Sequence, residues 1–370
     1  MAGIYVHIPF CKQKCRYCDF ASFPDKIGLA ESYMACVYRE VAMRAPELKD
    51  YSFDTLYIGG GTPSVIDESY IAMLVAAAKK YYNLDKNAEI TIEMNPGTVS
   101  ASKIDLYKKV GINRFSVGLQ TANDKLLSDL GRIHTLNQFI TCVKLLKGCN
   151  FSVDIMIGLK GQSLDDISQS IEVAALYGAG HISMYALTPE DGTPIYTDYL
   201  NGELPDSDEV AEQYAFGVKK LKELGYERYE VSNFCKKGKG SRHNLNYWRR
   251  GEYIGFGVSA SSHIKNVRFT NTFDLDEYFK CIISNHFAVI DRTEITVPEQ
   301  RDEYVMLAMR TAAGVDVHEY EKLFGLSFMQ EYAAAIAKNR DYLDISPERV
   351  RIKDEYLFVQ NTIIIDFLKA

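Results

Sequence analysis

An α/β fold built on a parallel sheet, with a small helical domain behind it, is what this sequence predicts. Two observations carry that reading. From residue 3 to about residue 190, six short apolar strand patterns alternate with amphipathic helix patterns. Repeats of that kind make parallel neighbours joined by right-handed crossovers. From about residue 290 the alternation stops and helix patterns dominate.

Strands are predicted over residues 3–8, 55–58, 89–93, 114–118, 151–157 and 181–187, and helices between them over 31–44, 67–81, 101–110, 138–146 and 164–177. Periodicity leaves a doubly wound sheet and a partial barrel open. Residues 190–285 are less regular. A helix over 206–224 starts at the signal Pro205-Asp206-Ser207-Asp208. The polar, glycine-bearing stretch 236–242 reads as a loop leading into His243-Asn244-Leu245-Asn246-Tyr247-Trp248, and 253–263 as a glycine-rich return to the core. Near the end, helix patterns over 298–311, 317–323 and 328–342 precede two strand patterns, 350–352 and 356–359, read as a hairpin. Three helices and a hairpin suggest a winged-helix-like domain. The expected division is 1–190, 191–288 and 289–370.

Composition sets the bounds. The 370 residues, 47% apolar and 25% charged, suffice for a large core and two domains. A formal charge of −7 argues against a dominant nucleic-acid surface. No apolar run is long enough to span a bilayer, and Met1-Ala2-Gly3 leads straight into a strand pattern with no secretory signal. The expected location is cytoplasmic. The eight cysteines agree: three are clustered, while Cys36, Cys142, Cys149, Cys235 and Cys281 are scattered, as small core residues are in a reducing compartment.

The clustered three define the chemistry. Cys11, Cys15 and Cys18 form a C-x3-C-x2-C run directly after the first strand. Thiolates so close together must ride on a loop folded around something, and soft thiolates favour zinc or iron–sulfur. A structural zinc site normally closes with four ligands, and so does a 4Fe–4S cluster that only carries electrons. Three cysteines leave one iron of a cluster open to a substrate or cofactor. A three-cysteine zinc knuckle is the competing reading.

The run, with Tyr17 before its last cysteine, resembles the signature of radical S-adenosylmethionine (SAM) enzymes. YVHIPFC at 5–11, GGGTPS at 59–64, LGRIHT at 130–135 and HNLNYW at 243–248 resemble the coproporphyrinogen-oxidase-like branch, the last its heme-chaperone members. The resemblance runs almost end to end. It implies an open, six-unit β/α barrel of TIM type, a C-terminal domain, a 4Fe–4S cluster on Cys11, Cys15 and Cys18, and SAM on the open iron, cleaved by one electron. In such barrels the chemistry sits at the carboxyl ends of the strands. Cys11, Gly59, Glu93 and Gln120 fall there.

Each candidate site residue has a bland alternative. Three glycines after a strand let the backbone approach a ligand with N–H groups free to donate, or simply make a tight turn. The resemblance assigns Gly60, Gly61 and Thr62 to SAM. Glu93 stands where an apolar residue is expected. Asp154 lies inside an apolar strand, which is costly unless the carboxylate is paired; Arg132 is a candidate partner, or a surface residue. Matched onto the family, Glu93, Gln120, Arg132 and Asp154 are SAM-site positions, Tyr5 is a SAM-contacting tyrosine, and Tyr17 lies near the adenine. Lys160 departs from the family, which has proline there. In HNLNYW, His243 is a candidate heme ligand, with Asn244, Tyr247 and the sole tryptophan, Trp248, beside it on an accessible loop. A capping and packing cluster is the alternative. Lys236, Lys237 and Lys239 read as a solvated loop, or as partners for propionates.

Two functions follow from the resemblance. One is a heme chaperone that binds cluster, SAM and heme and delivers heme to an acceptor protein. The other is an oxygen-independent coproporphyrinogen III oxidase, or a radical SAM enzyme with another substrate. The decarboxylases carry a fourth cysteine two residues after the third, where this chain has Phe20, and an N-terminal arm, whereas Tyr5 is almost at this chain's start. Both differences favour the chaperone, with no residue assigned as catalytic and coproporphyrinogen III dehydrogenase activity doubtful. An electron donor is implied. Contact with a membrane through the acceptor, and a homo-oligomer, are left open.

Overall fold

A computed structural model describes residues 1–368. Six parallel strands form its centre: β1 (Ala2–Ile8), β2 (Ser52–Gly60), β3 (Asn83–Met94), β4 (Arg114–Gln120), β5 (Asn150–Ile157) and β6 (His181–Ala186). They lie side by side in chain order, each paired in parallel with the next. That order decides what periodicity left open. A doubly wound sheet reverses its strand order at a switch point; here there is no reversal, so the sheet is wound one way, as in a barrel.

The barrel stays open. On the β6 side the sheet continues through the antiparallel strands β8 (Asn233–Cys235) and β7 (Glu227–Arg228). On the β1 side comes β9 (Tyr253–Phe256), parallel to β1, followed by an antiparallel meander of β10 (Ser261–Ile264), β11 (Val267–Asn271) and β12 (Val289–Glu294). The segment read as a glycine-rich return is thus a seventh parallel strand with its hairpin.

The helices that follow the central strands include α1 (Ala30–Arg44), α2 (Glu68–Tyr81), α3 (Ala101–Val110), α4 (Asp124–Asp129), α5 (Leu136–Leu145) and α6 (Leu164–Leu176). Local chemistry starts them where the sequence changes period: Thr135 with Gln138 and Ser163 with Asp166 close capping boxes on α5 and α6. Every residue of β4 is buried, as a strand covered on both faces requires. One apolar core runs from Ala2 to Ala288. Beneath the β1 end, buried Glu40 of α1 accepts hydrogen bonds from Gly257 N, Asn271 Nδ2 and Tyr278 Oη at 2.8 Å each, tying the meander to the barrel.

A short helix, α7 (Pro194–Leu200), and the longer α8 (Ser207–Glu223) lead towards α9 (Arg242–Trp248); α10 (Leu275–Ile283) lies between β11 and β12. The C-terminal region has its own core, from Tyr304 to Phe367. It contains α11 (Val297–Met309), α12 (Val317–Phe324), α13 (Phe328–Glu331) and α14 (Ala333–Lys338), with the sheet order β13 (Val315–Asp316), β15 (Arg349–Ile352), β14 (Leu343–Ile345). Two expectations fail here. The third helix breaks at Tyr332, which leaves helical geometry at φ −109° and ψ 19°. The hairpin pairs β14 with β15 across the Ser346-Pro347-Glu348 turn, while Asp354–Val359 is a 3-10 helix that buries Leu357. The Ser-Pro signal marked the true turn. Among the described residues no helix is long and apolar enough to cross a membrane.

Candidate functional site

The cysteine loop leaves β1 at the carboxyl end of the barrel. Phe10 anchors it, fully buried and edge-on to Tyr33 at 5.4 Å. Two backbone bonds clamp it to the glycine turn: Gly61 N donates to Ile8 O and Thr62 N to Phe10 O, both at 2.8 Å. On its far side Arg16 N donates to Leu130 O at 3.0 Å, and Gln13 Nε2 to Gly131 O at 3.2 Å. The LGRIHT segment is therefore the seat of the cysteine loop, a role that sequence reasoning missed.

None of the three cysteines is in a disulfide; Cys11 is buried and Cys15 and Cys18 are half-buried. Thr62 Oγ1 donates to Cys11 Sγ at 3.4 Å, and Arg132 Nη1 to Cys15 Sγ at 3.6 Å. Burial raises the thiols of Cys11 and Cys18 above the ordinary range. Iron that replaces those protons removes that cost. Three free thiols on one loop are the donor set that a 4Fe–4S cluster takes when one iron stays open, so the residues present fit such a cluster.

The glycine turn is shaped by close packing. Gly60 has φ +113°, and a Cβ there would lie 2.7 Å from the His7 ring. At Gly61 a Cβ would lie 2.8 Å from Phe10 O and 3.0 Å from Cys11 Sγ. The N–H groups expected to be free are in use: Gly60 N donates to Glu93 Oε2 at 3.1 Å, and those of Gly61 and Thr62 hold the cysteine loop.

Glu93 closes the turn from β3. Tyr57 Oη donates to its Oε1 at 2.7 Å. Burial, with a contribution from Asp154, pushes its carboxyl up to about 7. Asp154 is raised too, by burial, although Ser116 Oγ donates to it at 3.4 Å. Arg132 is not its ion-pair partner: the guanidinium binds Cys15 and, at 2.9 Å, the Gly118 carbonyl. Two carboxylates held this way attract a cationic group such as an ammonium or sulfonium. Gln120 sits at a register shift with φ 69°, a left-handed conformation uncommon outside glycine. Tyr17, like Leu187, packs against the cluster of Leu126, Leu130, Met156 and Leu159. Tyr5 Oη is hydrogen-bonded to His7 Nδ1 at 3.0 Å, and its ring stacks on Tyr57. Lys160 is exposed and pairs with Glu203.

HNLNYW differs most from expectation. It is not a loop but α9, capped by Ser241, whose Oγ accepts from Asn244 N. The cap turns His243 inward, where it is 1% exposed. Its Nδ1 is hydrogen-bonded to Thr55 Oγ1 and its Nε2 to Tyr247 Oη, both at 2.8 Å, and the ring stacks on Tyr57 with centroids 5.0 Å apart. Burial lowers its pKa to about 3, so the ring is neutral. In this conformation neither ring nitrogen is open to an iron. Asn244 and Trp248 are half-buried. The lysines divide: Lys236 Nζ donates to Leu224 O, the Lys239 carbonyl accepts from Arg114 at 2.9 Å, and Lys237 is exposed.

Two cavities flank the cysteine loop. One, about 480 Å³, is lined by Phe20 of the loop, Tyr247 of α9, and Tyr253, His263 and Arg268 of the meander. The other, about 390 Å³, lies on the Arg16 side, with Leu159 and Leu187 in its wall.

Comparison with known proteins agrees with this geometry. The Radical SAM superfamily model matches residues 5–174. The heme chaperone HemW of Bacillus subtilis is 33% identical over 333 residues, covering 88% of each chain. That of Lactococcus lactis is 32% identical over 371 residues, covering 98% of this chain and 96% of its own. That of Buchnera aphidicola from Schizaphis graminum is 40% identical over 268 residues, 72% of this chain and 71% of its own. The coproporphyrinogen III oxidase HemN of Escherichia coli superposes with a TM-score of 0.88 over 100% of this chain and 90% of its own, at 18% identity, which establishes the shared fold. The open barrel, the three-cysteine loop and these relatives together place the chain in the HemW family of heme chaperones, within the radical SAM superfamily.

Proposed function

We propose that this chain holds heme in the cavity beside its cluster loop and delivers it to an acceptor protein. The observation that carries the reading is the shared wall of the 480 Å³ cavity: the loop after Cys18 supplies Phe20, and the HNLNYW helix supplies Tyr247. The wall sets the aromatic side chains of Tyr5, Phe20, Tyr247, Tyr253 and Phe273 beside histidines and arginines, which suits a flat macrocycle that carries carboxylates. The family implies a 4Fe–4S cluster and SAM; when bound, they supply one-electron cleavage of SAM. Cys11, Cys15 and Cys18 would hold the cluster. Glu93 and Asp154 would meet the cationic groups of SAM, with Gly60, Gly61, Thr62, Gln120 and Arg132 shaping that space and Tyr17 offering an aromatic face. An electron donor would serve the cluster.

The test is anaerobic. Cluster-loaded protein is titrated with heme, mixed with a heme-depleted acceptor such as an apocytochrome, and assayed separately with SAM, a reductant and coproporphyrinogen III. One-to-one binding and transfer, without carbon dioxide release, is expected. Decarboxylation at catalytic turnover, with no heme transfer, would make the protein a coproporphyrinogen oxidase instead.

A further inference from the structure

The cavity beside the cluster loop has a wall built in register. On β10, His263 pairs with Tyr253 of β9 and with Arg268 of β11. Residues directly opposite in antiparallel strands share a face, so tyrosine, histidine and arginine form one row, and all three line the cavity. Arg250 joins them from the end of α9.

Two polar atoms on this wall are buried without a partner: His263 Nε2 and Arg250 Nη2. An unsatisfied buried polar group costs stability and in a native protein calls for a ligand, ion or water. His263 itself is 3% exposed. Its Nδ1 faces the Gly251 carbonyl at 3.4 Å, which favours the proton on Nδ1 and leaves the Nε2 lone pair free. That is the arrangement by which proteins orient an imidazole towards a metal. The other histidine of the wall, His7, has both nitrogens in use, with Tyr5 Oη at 3.0 Å and Ala21 O at 2.8 Å. His243, behind the wall, is saturated as well.

The charge on the wall is mixed. Arg250 and Arg268 share the cavity lining with one carboxylate, Asp19. Behind them both guanidiniums also bind Glu303, at 2.9 Å each, which fixes them in place. Arg250 Nη2 is left over for a carboxylate of the occupant. Phe20, 69% exposed, and Phe273, 59% exposed, give the cavity mouth apolar area.

From these observations we infer that His263 is the iron ligand of the bound heme and that Arg250 meets one of its propionates. His243 is then a positioning residue, which fixes Tyr247 in the cavity wall. The inference rests on the reading that heme occupies this cavity.

The experiment compares ferric heme with iron-free protoporphyrin IX on cluster-loaded wild type, His263→Ala and His243→Ala. His263→Ala should weaken ferric heme binding on the order of tenfold or more, shift the Soret band, and leave protoporphyrin IX binding unchanged. Added imidazole should restore the band. His243→Ala should leave the position of the Soret band unmoved. If His263→Ala fails to fold, His263→Met replaces it, and a shifted Soret band is expected. A wild-type Soret band and affinity in the His263 variants would overturn the assignment while leaving the heme reading intact. Absence of binding by either porphyrin to wild type would overturn the heme reading, and the assignment with it.

Discussion

The two motif segments framing the cavity, residues 11–20 and α9, differ in how far the protein satisfies them. In the cysteine loop the backbone is clamped, while Thr62 and Arg132 reach the sulfurs of Cys11 and Cys15 at 3.4 and 3.6 Å. In α9 the motif histidine is stacked, buried and hydrogen-bonded through both ring nitrogens. A residue with spare bonding capacity is poised for a ligand; a saturated one is poised to hold a neighbour. In this conformation the motif histidine is held by Thr55 and Tyr247, and neither ring nitrogen is open to a ligand.

The difference can be broken most strongly from the cysteine side. Cys15→Ala removes one of three donors, and the visible absorbance of the reconstituted cluster should disappear; an intact cluster spectrum would remove Cys15 from the ligand set. From the other side, His243→Ala strips Thr55 and Tyr247 of their buried partner. Thermal or urea unfolding should register a loss of about 2–4 kcal/mol, while the cluster spectrum stays as in wild type. Stability equal to wild type would mean that the buried bonds are not maintained in solution.

A smaller effect sharpens the picture at Glu93. Its folded pKa, about 7, lies above the ordinary 4.5. The folded protein therefore holds a proton that the unfolded chain has released, and Glu93 makes stability fall as pH rises from 4.5 towards 7. Glu93→Gln should flatten that part of the melting-temperature profile of SAM-free protein and weaken SAM binding on the order of tenfold. A profile identical to wild type would show that Glu93 is charged throughout. The three results together rank the groups by how much of their bonding is left for a ligand.

Much of the fold was legible locally. The six central strands lie where apolar patterns place them, because an apolar run between helix patterns has few other ways to bury itself. Asp206 caps the helix that Pro205-Asp206-Ser207-Asp208 announces. The misread hairpin near the C terminus was a local error, since Ser346-Pro347 outweighs Lys353-Asp354-Glu355 as a turn signal. The site was less legible. Glu93 stood out as a carboxylate in an apolar strand, but its partners Tyr57 and Gly60 come from a different strand. His263 carried no signal in the sequence, because its meaning lies in the row it forms with Tyr253 and Arg268.

By itself the sequence determined what covalent spacing and local period control: three cysteines on one loop, strand and helix order, and the capping residues. Tertiary structure alone decided that His243 turns inward and that an unpartnered imidazole, His263, lines the cavity. The physical reason is separation along the chain. Thr55 and His243 are 188 residues apart, and whether an imidazole is saturated or free depends on which distant group folding brings against it.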